Sequence, residues 1–301
     1  MLSGSLNVLV IGSINQDIVV NTARFPQAGE TLLAQSLAYF PGGKGANQAV
    51  AAARLGARVS MIGALGDDVF GRDLYAHLAH EGIDTTAIAL LPDCASGTAH
   101  ITVSGGENHI IVHSGANFAL TVQHIARHEA LFQAADVVLS QLEIPLDCVQ
   151  LTAELAEKHR KPFILNPAPT LPLPAELIRR CTLLTPNRHE WQILSAADDN
   201  ATPTPTAQML ITCGAHGVHY RHHGQNGFQA AFEVITCDST GAGDTFNGAL
   251  AAFWNQGLPA AVHYASAAAA LSVTRAGAQA GMPTRKELMC FLGQSEQPEL
   301  R

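Results

Sequence analysis

The sequence predicts a three-layer α/β fold, with a mostly parallel central sheet flanked by helices and a small β-sheet lid. Short apolar runs at residues 7–13, 59–64, 135–142, 162–165, 183–185 and 209–212 have the length and composition of buried strands. Helical apolar spacing separates them, at residues 47–55, 71–81 and 146–159. Strands alternating with helices form parallel sheets covered on both faces. Two stretches, approximately 18–40 and 86–112, break this alternation. In the second, Ser104-Gly105-Gly106-Glu107 separates β-rich runs as a hairpin turn does. Both are expected to form the lid, inserted in a single domain spanning residues 1–301.

With 301 residues, 47% of them hydrophobic, the chain can bury a large core. Charged residues make up 14% and the net charge is -8, so no basic surface for a nucleic-acid backbone is expected. No apolar run reaches membrane-spanning length, and the first ten residues lack a signal-peptide pattern, so a cytoplasmic location and no membrane partner are expected. The six cysteines are scattered without CxxC or finger spacing and are expected to be reduced and mostly buried. His109, His113, His222 and His223 accompany no carboxylate cluster and read as surface or packing residues. The one low-complexity stretch, 201–206 (ATPTPT), reads as a short stiff loop.

The strongest local signal is Asp238-Ser-Thr-Gly-Ala-Gly-Asp244, a glycine-rich turn opening a helix with Phe246, Ala249, Leu250 and Phe253 at helical spacing. Glycines admit a phosphate close to the backbone, and unpaired amides at a helix start attract it. A carboxylate at Asp244 would repel that anion unless it takes part in the chemistry; capping the helix is the other use of an aspartate there. Pro41-Gly-Gly-Lys44-Gly-Ala-Asn47-Gln48 also precedes a helix, yet lacks P-loop spacing, and no GxGxxG occurs. Lys44 and Asn47 can donate to a small polar ligand or belong to an ordinary capped turn.

Taken together, GGKGANQ at 42–48 and STGAGDTFNGAL at 239–250 resemble the two signatures of the PfkB sugar kinases, the ribokinase family. Residues 12–17 (GSINQD), 66–71 (GDDVFG), 166–169 (NPAP) and 185–187 (TPN) are similar to further family motifs in the same order, so the resemblance covers nearly the whole chain. It implies a ribokinase-like fold and ATP-dependent phosphorylation of a sugar, D-ribose at O5, with Asp244 as general base and Gly241, Ala242 and Gly243 forming an anion hole. It implies a sugar pocket from Asn15, Asp17, Gly43, Lys44, Asn47, Glu143 and Asp244; alone, Asp17 also suits a turn and Glu143 a solvated strand end.

The same resemblance implies water-mediated Mg²⁺ binding by Asn187 and Glu190, whose spacing equally suits a capping box. Nucleotide contacts fall to Asn187, Thr212, Gly214, Gly217, Gly243 and Ser266, with Cys213 as packing. Asp238, Thr240, Ser272, Arg275, Gly277 and Gly281 align with a loop for a monovalent cation, K⁺; on sequence alone, 274–284 is a glycine-rich surface loop, and Gly281 lacks the hydroxyl some relatives supply. The segment from Asn187 to Thr212 is shorter than usual for the family by about a helix with its loop. A homodimer is expected. Alternatives are a kinase for deoxyribose, fructose or an aminoimidazole riboside, and a sugar-binding regulator without chemistry.

Overall fold

A computed structural model describes residues 5–196, 208–222 and 224–293. The 201–206 stretch and His223 lie outside the described residues. The first strand, β1 (Asn7–Ile11), shows how the layers arise. Val8 and Val10 enter one hydrophobic core, and Leu9 and Ile11 enter the other. This is the alternation of a strand buried on both faces.

There follow β2 (Asn15–Asn21), β3 (Ser36–Gly42), α1 (Lys44–Arg54), β4 (Arg58–Gly66), α2 (Val69–His80), β5 (Asp84–Leu91), β6 (Gly97–Ser104) and β7 (Glu107–His113). The middle of the chain adds α3 (Val122–Arg127), α4 (Glu129–Ala134), β8 (Val137–Ser140), α5 (Leu146–Lys158), β9 (Phe163–Leu165), α6 (Ala175–Arg180) and β10 (Leu183–Leu184). The last third contributes α7 (Arg188–Ala196), β11 (Gln208–Thr212), β12 (Val218–His222), β13 (Gln225–Gln229), α8 (Ala242–Ala252), α9 (Leu258–Ser272), α10 (Ala278–Gly281) and α11 (Arg285–Phe291).

The large sheet runs β13-β12-β11-β10-β9-β8-β1-β4-β5 and is parallel from β11 to β5. Because β1 lies between β8 and β4, strand order reverses beside it. A crevice at the carboxyl ends of the strands is the expected ligand site at such a reversal. A smaller sheet, β3-β2-β6-β7, stands apart; its central pair, β2 and β6, is parallel and its outer pairs are antiparallel.

Three expectations need correction. The second lid segment does not begin at 86, because β5 pairs with β4 in the large sheet. Ala87 and Ile88 are buried there, so the β-rich run that suggested lid belongs partly to the core. The antiparallel β12–β13 hairpin at the sheet edge was not foreseen, since its polar strands supply no apolar run. The cysteines are unpaired, but only Cys148 and Cys181 are buried, and Cys237 and Cys290 are exposed.

Helix α1 lies against α8 at a separation that admits only small side chains. A Cβ on Gly248 would overlap the Gln48 carbonyl and come within 2.6 Å of the Ala51 Cβ. This contact fixes the start of α1 beside the start of α8.

The motif at 66–71 serves folding. Asp68 caps α2 through the Gly71 amide at 2.7 Å and accepts from the Ser96 amide and hydroxyl at 2.8 and 2.7 Å, tying the helix to the base of β6. Asp68→Ala removes a cap and two long-range bonds. A loss of roughly 1–2 kcal/mol in urea unfolding is expected; an unchanged midpoint would show that these bonds add nothing beyond their hydration.

Candidate active site

Asp244 sits in the first turn of α8, after Gly241, whose φ of 77° lies in the left-handed region. Its side chain is buried, and both oxygens accept from amides on α1. Asn47 Nδ2 donates to Oδ2 at 2.9 Å, and Gln48 Nε2 donates to Oδ1 at 3.0 Å. Burial raises the carboxyl above its usual range, opposed by Lys44 and the two amides and aided by Glu143. The bonds leave it without the role of a helix cap: no side-chain cap is formed at this helix start.

An open cleft lies above this residue, lined by Lys44, Asn187, Glu190, Thr212, Gly241, Ala242, Gly243 and Asp244. Asn166, Ala168, Thr185, Ser239 and Asn247 complete the lining. Gly43 turns the chain into α1 with φ 87°, so that the Lys44 amide donates to Glu143 Oε2 at 3.2 Å. The Lys44 ammonium makes no ion pair among the described residues. Burial pulls its pKa down, but Asp244, Glu143 and Glu190 together hold it above the usual value. It is therefore a charged, available donor.

The amides of Gly241 and Gly243 have no protein acceptor among the described residues, whereas that of Ala242 donates to the Ser239 carbonyl at 3.2 Å. A Cβ on Gly243 would meet no protein atom within 4 Å. Protein packing therefore does not require glycine there, and the position suits an anion approaching the backbone. Asn187 and Glu190 form a reciprocal box at the start of α7, each side chain accepting from the other's amide at 2.8 Å. One Glu190 oxygen remains without a protein donor, which fits a hydrated hard cation in the cleft.

Asn15 and Asp17 lie on β2. Asn117, on the short turn after β7, donates to Asn15 Oδ1 at 2.7 Å and accepts from the Ile14 amide at 2.8 Å. Asn15 is thereby left with its NH₂ as the free group. Asp17 packs over Gly42, where any Cβ would overlap its carboxylate. Burial, then Glu143, then Asp244 push the Asp17 carboxyl up to about 7.

The remaining expected residues are more distant. Gly214, Gly217 and Ser266 do not line the cleft. Gly214 and Gly217 bound a short turn after Thr212 with φ 55° and 88°, and Ser266 Oγ is buried on α9 without a partner. Asp238 accepts from the Thr240 amide at 2.9 Å and the Gly277 amide at 2.8 Å, so it joins the two loops. The carbonyls of Ser272 and Arg275 converge over Gly281, where a Cβ would lie 2.5 Å and 3.5 Å from atoms of those residues. A side chain at 281 is therefore excluded by crowding. The oxygen-only donors suit a monovalent cation, while no cluster of three His, Cys, Asp or Glu occurs among the described residues.

Sequence reasoning missed the buried amides. Gln141 Nε2 donates to Gln48 Oε1 at 2.7 Å, Gln48 Nε2 to Asn166 Oδ1 at 3.1 Å, and Gln279 Nε2 to Asn47 Oδ1 at 2.9 Å. Thr185 Oγ1 donates to Asn247 Oδ1 at 2.6 Å. Gln48, Asn166, Thr185 and Asn247 stood within the recognised motifs, which was the available signal.

The Asp17 environment has a thermodynamic consequence. Its folded pKa of about 7 exceeds the unfolded 3.8, so the charged form costs stability. That cost is absent below about pH 4 and complete above about pH 7. Ligand-free Asp17→Asn should melt above the parent at pH 8.5 and together with it at pH 4 in scanning calorimetry; equal melting at both would show a solvated carboxylate.

The sequence profile of the pfkB family carbohydrate kinases matches residues 5–285. The chain is 43% identical over 286 residues to the ribokinase of Bacillus subtilis, covering 94% of this chain and 98% of that one. It is 40% identical over 297 residues to the ribokinase of Haemophilus influenzae, covering 94% and 97%. The structure of Arabidopsis thaliana ribokinase complexed with ribose and ATP matches with a TM-score of 0.88 at 29% identity, covering 97% and 100%. With both signatures meeting at one buried carboxylate, the chain belongs to the pfkB family of carbohydrate kinases.

Proposed function

We propose that this protein transfers the γ-phosphoryl group of ATP to O5 of D-ribose. One observation carries the reading: Asp244 is buried at the start of α8, beside an open cleft and the unengaged amides of Gly241 and Gly243. Asp244 accepts the proton of the attacking hydroxyl. Its raised pKa makes it a better acceptor than a solvated carboxylate, and the two amides keep its oxygens aimed.

The sugar lies between β2 and α1. Asn15 donates through its free NH₂, Asp17 accepts from hydroxyls, and Gly43, Lys44, Asn47 and Glu143 close the pocket. Hydroxyl protons facing Asp17 favour its ionised, accepting form over the protonated form that burial favours in the empty pocket. Thr212, Gly214, Gly217 and Ser266 serve the nucleotide, with Asn187 beside its phosphates. Asn187 and Glu190 would hold Mg²⁺ through water, and the ion would supply charge neutralisation on the phosphates. The loop containing Asp238, Thr240, Ser272, Arg275, Gly277 and Gly281 would hold K⁺, largely through backbone oxygens. Lys44 and the amides of Gly241 and Gly243 stabilise charge on the transferring group.

The smaller sheet acts as lid within one catalytic domain and excludes water that would compete with the sugar. One face of it exposes Leu37, Tyr39 and Ile111, an apolar surface suited to a second copy of the chain. Among the described residues no helix is long and apolar enough to cross a membrane. The unpaired cysteines suit a reducing cytoplasm.

The test is ADP release from MgATP with K⁺ present, offering ribose, deoxyribose, fructose or no sugar. Ribose-dependent turnover is expected, with Asp244→Asn lowering kcat by roughly 10²–10⁴. Ribose binding without turnover on any sugar would leave a binding protein instead. Sedimentation should give a dimer that Ile111→Asp dissociates; a monomeric parent would assign the exposed face elsewhere.

A further inference from the structure

The hydrogen bonds around Asp244 form a chain whose polarity is fixed at every link. An ionised carboxylate only accepts, so Asn47 must turn its NH₂ toward Asp244 and its carbonyl oxygen away. That oxygen faces Gln279, which must therefore present its own NH₂, at 2.9 Å. The Gln279 oxygen is then left facing His77 Nε2 at 2.7 Å, which must carry a hydrogen. His77 lies on α2, only partly buried and outside the cleft. The chain thus runs from a partly exposed ring to the reacting carboxylate.

The other oxygen of Asp244 has its own chain, through Gln48 to Gln141, and this one ends differently. Gln141 Oε1 is buried and has no partner. Gln48 is instead oriented by the backbone: its Nε2 also donates to Asn166 Oδ1 at 3.1 Å, and Asn166 Nδ2 donates to the Thr185 carbonyl at 3.1 Å. On the Asn47 side no backbone group among the described residues plays this part, and a hydrogen on His77 Nε2 is what holds the Gln279 amide in the orientation that Asn47 needs.

The backbone reinforces the first chain. Arg54, at the end of α1, donates to the Gln279 carbonyl at 2.5 Å and the Met282 carbonyl at 3.2 Å while pairing with Glu81 through two bonds of 2.8 and 2.6 Å. Gln279 is therefore held at both its side chain and its main chain. The helix it braces is the one that delivers Asn47 and Gln48.

We infer that Gln279 and His77 are positioning residues for phosphoryl transfer, orienting Asn47 so that its NH₂ holds Asp244 in line with the attacking hydroxyl. This rests on Asp244 as the base. Gln279→Glu reverses the polarity: a carboxylate accepts from Asn47, which must turn its oxygen toward Asp244. Gln279→Met keeps similar bulk without imposing either orientation.

The experiment measures kcat at saturating ATP and ribose, the KM for ATP and the melting temperature for Gln279→Glu, Gln279→Met, His77→Leu, His77→Gln and Asp244→Asn. Gln279→Glu should lose on the order of 10- to 10²-fold in kcat, as misplacement of a reacting group does. Gln279→Met should lose clearly less, and the KM for ATP should stay within about 2-fold of the parent's, well below that loss. His77→Leu should lower kcat several-fold, and His77→Gln, which can still donate, should recover most of it. Equal losses for the two Gln279 variants would mean packing and overturn the inference. Should Gln279→Glu fail to fold, equal kcat for the two His77 variants would overturn it. Full turnover by Asp244→Asn would remove the base reading and this inference with it; an inactive Asp244→Asn alongside equal Gln279 variants would remove this inference alone.

Discussion

An ionised carboxylate removed from water at Asp244 is the constraint on which the rest of the site depends. Burial of a charge is unfavourable unless donors replace the lost hydration. Here the donors come from Asn47 and Gln48, neighbours in a helix whose first turn also presents Lys44. Both amides reach Asp244 only because α1 and α8 approach closely, and Gly248 is what permits that approach. The alanines of α1 are part of the same requirement. Small residues along one helix and a glycine on the next are thus electrostatic features as much as packing ones.

The layers beneath follow from simpler rules. Alternation in β1 feeds two cores, and the reversal of strand order beside it opens the crevice into which β9, β10 and β11 deliver Asn166, Thr185, Asn187 and Thr212. Each of these stands at or just beyond the end of its strand. Residues there gain positional rigidity from the sheet while keeping side chains free of its hydrogen-bond ladder.

Much of this was legible in the sequence because it depends on neighbours along the chain. Apolar runs of strand length, helical spacing after Lys44 and Asp244, and the glycine turns at Gly43 and Gly241 are local properties. The start of the second lid segment was not legible, since a β-rich run does not reveal which sheet it joins; β5 joined the core. Nor was the amide network. Gln279 and Asn47 meet across the fold, and a glutamine in a polar loop carries no sign of the partner it will find. Asn117 was missed for the same reason, although it fixes which end of Asn15 is free. Asn187 and Glu190 show a different limit, because one spacing served two readings and the box they form leaves an oxygen facing the cleft.

The small sheet has a further consequence through β2. Its first residue, Asn15, pairs with Gly97 of β6, and from there the two strands run parallel to the far end of the sheet. A parallel pair cannot be closed by a tight turn, so the chain must travel through β4, α2 and β5 before the second strand arrives. The small sheet is therefore not an autonomous hairpin of the kind an appended flap could be. Its central pair is tied to the large sheet through the intervening chain, with Asn15 at the end nearest β1.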